Sequence, residues 1–327
     1  MNILIFGGTG NISSFFVKEC IKKKINTEIV IRNSKNHLRE LCKSKFLKKT
    51  FCDINTIKKK KFKKILKIKK YDCIINFICY NGRQASNCYS LIKNITNRFL
   101  LISTTAGYIK NKKYLPYNET TKFKSKWSYV KNKKLCENFF LKIKDKNFNV
   151  NVIRFGHTYG HIFPFPIGPV DWTIPYLLKK NYPVLVHNKG LSEWSLLHAE
   201  DAASALLKIV ENKKINNDFI NVVSKNKITW IDIVKKIFRI FRKKENIKYI
   251  NINLLIKKCK YFGESVMYHK QFDEYYDCTL INKIIPNWSE RVSINDGLKK
   301  TYRWFISSKK RMKINKKNIN LLKTIYS

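Results

Sequence analysis

Three features of this 327-residue sequence predict an α/β fold built on a doubly wound parallel sheet. At the N-terminus an apolar strand runs straight into a glycine turn, Met1 to Ser14 reading MNILIFGGTGNISS. Apolar runs then alternate with helical stretches at the spacing of β-α-β units. One of those runs, Tyr71 to Tyr80 (YDCIINFICY), is almost continuously apolar, as a parallel strand covered on both faces should be. Together they specify a Rossmann-type sheet followed by a smaller C-terminal substrate-binding lobe.

Asn2 to Phe6 form the first strand, and Ile12, Phe15, Phe16 and Ile21 fall at helical spacing behind the turn. In a dinucleotide-binding fold such a turn presents backbone N–H groups and a positive helix end to a pyrophosphate. Gly7, Gly8, Thr9, Gly10, Asn11 and Ile12 are therefore the expected phosphate cradle. Glycine is needed where the chain turns tightly and approaches the phosphates, because a Cβ would collide there. The third glycine position holds Ser13, small enough for helix and strand to pack closely.

Thr27 to Ile31 form the second strand, ending in Arg32-Asn33-Ser34. An NAD site usually places an acid here for the ribose 2′-OH, whereas an Arg accommodates a 2′-phosphate. No acid is present and Arg is scarce beside Lys, so Arg32 leans the cofactor reading toward NADP while NAD stays open. Phe51-Cys52-Asp53 closes a short third strand; Asp53 reads both as a contact to the adenine edge and as the N-cap of the Lys-rich helix that follows. Tyr71 to Tyr80 is the fourth strand and Arg98 to Ser103 the fifth.

Asn151 to Arg154 is the sixth strand, and the Pro- and Gly-rich stretch His161 to Pro169 leaves the sheet as a loop. A helix from Asp171-Trp172 to Lys180 and a short strand, Pro183 to His187, come next. His198 to Asp201 returns to the sheet region with a helix behind it, Phe219 to Val223 is a final strand, and Asp296 to Ile306 is the last helix. The expected division is a nucleotide-binding part over 1–160 and 196–223, a lobe over 161–195 and 224–310, and a basic tail over 311–327, frayed or helical.

Composition narrows the function. A hydrophobic content of 44% supports a sizeable core, and no stretch approaches the length of a membrane span or the form of a signal peptide. Cytoplasm is the expected location. Nine cysteines are scattered without a CxxC or His-Cys cluster, which reads as reduced thiols rather than a disulfide frame or zinc site. The formal charge of +45 invites a nucleic-acid reading, yet the lysines lie along almost the whole chain beside abundant Asn and Ile, as codon drift in an AT-rich genome produces. The densest run, Lys58 to Lys64, is expected on an exposed helix face.

The fifth strand ends in Ser103-Thr104-Thr105-Ala106-Gly107-Tyr108, and a later helical stretch carries Tyr129 and Lys133. Strand carboxyl ends hold the ligand in a parallel sheet, so the hydroxyls at 103 to 105 are expected to face the cleft. Residues i and i+4 share a helix face, and an ammonium beside a phenol favours phenolate, which would lower the Tyr129 pKa. Tyr-x-x-x-Lys also occurs at Tyr89/Lys93, Tyr108/Lys112 and Tyr176/Lys180. Only Tyr129/Lys133 follows the Ser/Thr strand end at the right interval on its own helix.

With these motifs the chain resembles the short-chain dehydrogenase/reductase superfamily, in its extended branch of NAD-dependent epimerase/dehydratase proteins. The likeness covers GGTGNIS (7–13), ISTTAGY (102–108), YVKNK (129–133), RFGHTYG (154–160), LLHAEDAA (196–203) and PNWSERVSINDGLKKTYRWF (286–305). It implies Tyr129 as acid/base, Lys133 as partner of the nicotinamide ribose and tuner of the tyrosine, and Thr104 as partner of the reacting oxygen. The implied chemistry is hydride transfer at a hydroxyl- or keto-bearing carbon, ending in epimerisation or in net oxidation or reduction.

Dehydratases of the branch carry Asp-Glu after the Thr, where this chain has Thr105-Ala106, so dehydration is not expected. The arginine that clamps a substrate diphosphate before His198 and Asp201 falls on Trp194, and a second is missing before Asp277, near His269 and Lys270. Trp194 can stack on a ring but cannot clamp a pyrophosphate. Thr105, His157, Tyr159 and Trp194 are the candidate substrate contacts, His157 and His198 reading first as structural hydrogen-bonding residues. No metal site is expected. The expected partners are a small-molecule substrate of carbohydrate type and a second copy of the chain through the Tyr129 helix. Nucleic acid remains the lesser alternative, since some relatives with similar glycine turns bind RNA.

Overall fold

The first strand, β1 (Asn2–Phe6), has Ile3 to Phe6 fully buried, which is why it sits at the centre of the sheet. In the computed structural model, residues 1–32, 44–67, 70–143, 145–215, 218–312 and 315–326 are described. After β1 come α1 (Asn11–Lys22), β2 (Asn26–Ile31), β3 (Leu47–Phe51), α2 (Lys59–Ile65), β4 (Cys73–Asn76), α3 (Gly82–Ile92), β5 (Arg98–Thr104), α4 (Ser128–Leu141) and β6 (Asn149–Phe155). The chain continues through β7 (His157–Tyr159), α5 (Thr173–Lys179), β8 (Val184–His187), β9 (Glu193–Trp194), β10 (Leu196–His198), α6 (Ala199–Glu211) and β11 (Phe219–Val222). It ends with β12 (Ile228–Thr229), α7 (Trp230–Phe241), β13 (Ile247–Ile250), α8 (Ile252–Lys258), α9 (Lys260–Ser265), α10 (Thr279–Ile284), α11 (Ile294–Ile306) and α12 (Lys316–Tyr326).

Seven strands pair in parallel in the order β11-β6-β5-β4-β1-β2-β3. This is the expected doubly wound, Rossmann-type sheet. Its strand order reverses between β1 and β4, and a crevice opens there beyond the carboxyl ends of the strands. One face is covered by α1 and α6, with Phe16, Val17, Ala202 and Leu206 in the core. On the other, α2, α3 and α4 contribute Phe62, Leu91, Cys136 and Phe140.

A separate apolar core gathers Trp194, Trp230, Phe238, Leu298 and Phe305 in the lobe. The basic C-terminal run is helical, and α12 packs Leu322 and Ile325 into that same core. The stretch from Tyr276 to Trp288 adds its apolar residues to the sheet core instead. The lysine run behaves as expected: α2 buries Phe62 among exposed lysines. The eight described cysteines are free thiols, Cys42 lying outside the described residues. Among the described residues no helix is long and apolar enough to cross a membrane.

Two strand limits differ from expectation. β3 ends at Phe51, before Asp53, because the Asp53 carboxylate accepts from the Asn55 amide at 2.9 Å and turns the chain. Asp53 consequently does not cap α2, whose N-cap is Lys58. β4 ends at Asn76 although apolar residues run on to Tyr80, since the Asn76 side chain accepts from the Ile78 amide at 2.8 Å and bends the chain away. Phe77, Ile78 and Tyr80 then line the crevice rather than the sheet interior.

Candidate active site

The crevice is a cleft of about 810 Å³ bounded on one side by the glycine turn and on the other by segments of the lobe. Gly7 has φ +84°, and a Cβ there would stand 2.3 Å from Ile78 Cγ2, so this turn is open only to glycine. Gly8 plays a packing role: a Cβ would press on Ile29 at 2.8 Å, and the residue does not line the cleft. Ser13 explains how the turn survives without its third glycine. Its hydroxyl donates to Gly7 O at 2.6 Å and accepts from the Gly10 amide at 2.8 Å, tying the two glycines together. α1 then opens onto the cleft at Asn11 and Ile12 with no acidic residue in its first turn. That is the electrostatic setting a pyrophosphate requires, so the residues present fit a dinucleotide.

Opposite the turn, the end of β5 and the start of α4 bring Thr104, Tyr129 and Lys133 to one wall. Tyr129 keeps 37% of its surface exposed and lines the cleft with Thr104, whose hydroxyl accepts from the Ala106 amide at 3.2 Å. Lys133 is buried and donates to two backbone carbonyls, Cys79 O at 2.9 Å and Ile102 O at 3.0 Å, with its ammonium 4.9 Å from the Tyr80 ring centre. Burial lowers the pKa of this ammonium.

The expected lowering of the Tyr129 pKa is reversed. Desolvation pushes the phenol up, the neighbouring Tyr80 adds to the rise, and the Thr104 hydroxyl opposes it only in part. Lys133 does not offset this, because its charge is directed to carbonyl oxygens. An acidic Tyr129 therefore needs a further positive group in the cleft.

The two elements that carry Thr104 and Tyr129, β5 and α4, are locked together from behind. Glu137 on α4 and Arg154 on β6 form a fully buried pair, with Arg154 NH2 to Oε2 at 2.7 Å and Nε to Oε1 at 3.0 Å. Ser103 on β5 donates to the same carboxylate at 2.6 Å. Ser103 is thus turned to this pair rather than to the ligand side. Thr105 is also occupied: its hydroxyl lies 2.6 Å from the Tyr276 hydroxyl and donates to Glu274 at 3.1 Å.

The remaining expected site residues divide. His157 lines the cleft, its ring set edge-on to Trp194 and Trp230, and burial with nearby Lys270 and His269 lowers its pKa to about 3, leaving a neutral imidazole. Tyr159 does not reach the cleft; its ring is buried against Gly297 and its hydroxyl points to Ile294 O at 3.5 Å. Trp194 is entirely buried, donating to Phe272 O at 2.9 Å, so it cannot stack on a substrate. Arg32 is exposed at the end of β2, near Tyr80, whose pKa burial raises while the Arg32 charge opposes the rise, and Asn33 and Ser34 lie outside the described residues. His198 caps α6, accepting from the Glu200 amide at 3.3 Å.

The lobe contributes groups the sequence reading did not assign. His269 and Lys270 line the cleft, and behind them the buried Glu274 carboxylate pairs with His269 Nε2 at 2.6 Å and with the Lys110 ammonium. Tyr276 donates to the same carboxylate. Burial alone would raise the Glu274 pKa, but the adjacent His269 ring and Lys110 ammonium hold it well below the usual carboxylate range. Trp127 bridges the two walls, its ring 5.1 Å from that of Tyr129 and 5.9 Å from that of His269.

Residues 3–222 match the model of the NAD dependent epimerase/dehydratase family. The chain belongs to that family. The glycine turn, the β5 end and the α4 tyrosine all fall within the matched segment, and the family is described as NAD dependent.

Among curated relatives, 2'-dehydrokanamycin reductase of Streptomyces kanamyceticus is 20% identical over 109 residues, 33% of this chain and 31% of that protein. A chloroplast stem-loop binding protein of 41 kDa b from Arabidopsis thaliana is 26% identical over 157 residues, 47% of this chain and 39% of that one. The chain thus spans only about a third of the length of the curated relatives it matches. The fold is shared with dTDP-glucose 4,6-dehydratase from Bacillus anthracis in complex with NAD, at a TM-score of 0.77 and 17% identity, covering 96% of this chain and 100% of that one.

Within this family architecture the missing arginines acquire a structural explanation. Trp194 and Glu274 are direct backbone neighbours, with the Ser195 amide donating to Glu274 O at 2.9 Å. Buried Trp194 stands at the first of these positions, and the Glu274 carboxylate beside it is already paired with Lys110 and His269. The spacing of His269, Lys270 and Glu274 before Asp277 was the available signal, but their convergence on Lys110 and Thr105 is a long-range fact that no local pattern carries.

Proposed function

We propose that this chain is a NAD(P)-dependent oxidoreductase or epimerase that moves a hydride to or from a hydroxyl- or keto-bearing carbon of a small sugar-like substrate. The observation that carries the reading is the gathering of Thr104, Tyr129 and Lys133 on one wall of the cleft that the glycine turn also lines, with Lys133 one helical turn beyond Tyr129. A bound nicotinamide would supply the hydride acceptor or donor. Thr104 orients the reacting oxygen, and Tyr129 takes its proton when a hydroxyl is oxidised and returns one when a ketone is reduced. Lys133, anchored by two carbonyls, fixes the floor on which the ribose rests. Arg32, at the end of β2, would accept a 2′-phosphate and so supports NADP, and Asp53, just past β3, would be the contact to the adenine edge.

The test is calorimetric titration of nucleic-acid-free protein with NAD+, NADP+, NADH and NADPH, repeated on Tyr129→Phe and Gly10→Val. Micromolar binding that survives Tyr129→Phe and is lost in Gly10→Val supports the reading and ranks the cofactors. Binding of none of the four sinks it.

A second reading, nucleic-acid binding without turnover, is favoured by one observation. Four of the ten arginines, Arg239, Arg242, Arg291 and Arg303, border two adjoining grooves beside α7 and α11. An RNA hairpin affinity that exceeds cofactor affinity and falls steeply with salt would favour this reading.

A further inference from the structure

We infer that Lys270 binds an anionic group of the substrate, so that the lobe side of the cleft selects a small hydroxy compound carrying a carboxylate or a phosphate monoester. This rests on the reading of the cleft as a dinucleotide-dependent active site and specifies what occupies its other half.

The inference begins with an imbalance of charge. Lys270 contributes to the cleft wall beside His157 and His269. Its ammonium donates to Phe165 O at 3.0 Å and lies 5.4 Å from the Trp230 ring centre. Among the described residues no carboxylate lies within ion-pair distance of it. The other lysine of this region, Lys110, is matched by Glu274. Partial burial lowers the Lys270 pKa from its ordinary 10.5 to about 8, so the group still carries its charge near neutrality. A half-buried ammonium held only by a carbonyl dipole and a ring face is incompletely compensated, and a ligand anion is the natural counter-ion.

The surroundings set the kind of anion. His157 is held neutral by burial, so it adds N–H or lone-pair contacts without a second full charge, and His269 is paired with Glu274. His269 presents its Nε2 to Glu274, leaving Nδ1 for a substrate hydroxyl. Among the described residues Glu264 is the one acid lining the cleft, and no ion pair joins it to Lys270. One unpaired cation on the lobe side, with buried Trp194 at the place of a clamping arginine, suits one compact anionic group and not a nucleoside diphosphate.

The experiment measures binding of sodium D-gluconate, D-glucose 6-phosphate and uncharged D-glucose to protein saturated with NAD+ or NADP+, by calorimetry and saturation-transfer NMR. Lys270→Met and Lys270→Arg are run in parallel. At least one of the two anions should bind, identifying carboxylate or phosphoryl as the preferred group. Its affinity should drop roughly tenfold or more in Lys270→Met and stay within a few-fold in Lys270→Arg. Cofactor affinity should be the same in all three proteins. The inference is overturned if D-glucose binds as tightly as the anions, if Lys270→Met leaves anion affinity unchanged, or if neither anion binds while the cofactor does. Absence of cofactor binding in the unaltered chain would overturn the underlying reading, and this inference with it.

Discussion

The two walls of the cleft are made by different means. The turn wall, from Gly7 to Ile12, works with backbone amides, a helix end and the Ser13 hydroxyl, and carries no titratable group. The lobe wall is made of side chains: His157, His269 and Lys270 at the surface of the cleft, with Lys110 and Glu274 behind them. A wall of backbone amides recognises what every dinucleotide has in common. Buried charges meet a particular ligand, and they also make that wall expensive to disturb.

The largest effect should come from breaking the lobe wall at its centre. Glu274→Gln leaves the Lys110 ammonium buried without its partner, and loss of one member of such a pair costs about 3–5 kcal/mol. Urea denaturation measures it, and a change below about 1 kcal/mol would show that the lobe tolerates the uncompensated charge. The pH dependence follows from the direction of the shift. The folded-state pKa of Glu274 is depressed below the ordinary 4.5, so its contribution is fully present above that value and declines as pH falls through and below it. In Glu274→Gln that acid-side decline should be smaller.

Tyr129→Phe probes the place where the walls meet. Turnover should fall roughly 10²- to 10⁴-fold while cofactor affinity is unchanged, the pattern of a proton carrier and not of a binding residue. Because burial raises the phenol's pKa, cofactor-free protein should show no Tyr129 phenolate absorbance up to about pH 10. A tyrosinate difference signal between the two proteins at neutral pH would contradict the reversal of its shift.

The same contrast explains what could be read from sequence. The parallel doubly wound sheet, the glycine turn and the meeting of Tyr129, Lys133 and Thr104 at one cleft were legible because each rests on a local pattern: an apolar run, a turn, an i to i+4 spacing. Ser103, Tyr159 and Trp194 were misplaced because their direction is decided by partners far along the chain, Glu137, Gly297 and Phe272. The sign of the Tyr129 shift was missed for a related reason. Spacing places an ammonium beside a phenol, but the carbonyls of Cys79 and Ile102, which take that ammonium, come from two other segments.

On the turn wall, Gly7→Ala meets both a left-handed backbone at φ +84° and the Ile78 side chain at 2.3 Å. A cost of about 1–3 kcal/mol is expected from the backbone alone, with relaxation at Ile78 adding to it and weakening cofactor binding. Equal stability of Gly7→Ala and the parent in urea would mean that the turn is not held in the conformation described.

The smallest effect isolates Ser13. In Ser13→Ala, Gly7 O loses a donor and the Gly10 amide loses its acceptor, yet both sit at the edge of an open cleft where water can replace the hydroxyl. Stability should drop by about 1 kcal/mol. Cofactor affinity should change less than tenfold and in either direction, since freeing the Gly10 amide for a phosphate offsets the looser turn. A loss greater than tenfold would place the hydroxyl itself on the cofactor, giving this wall one side-chain contact and narrowing its difference from the lobe.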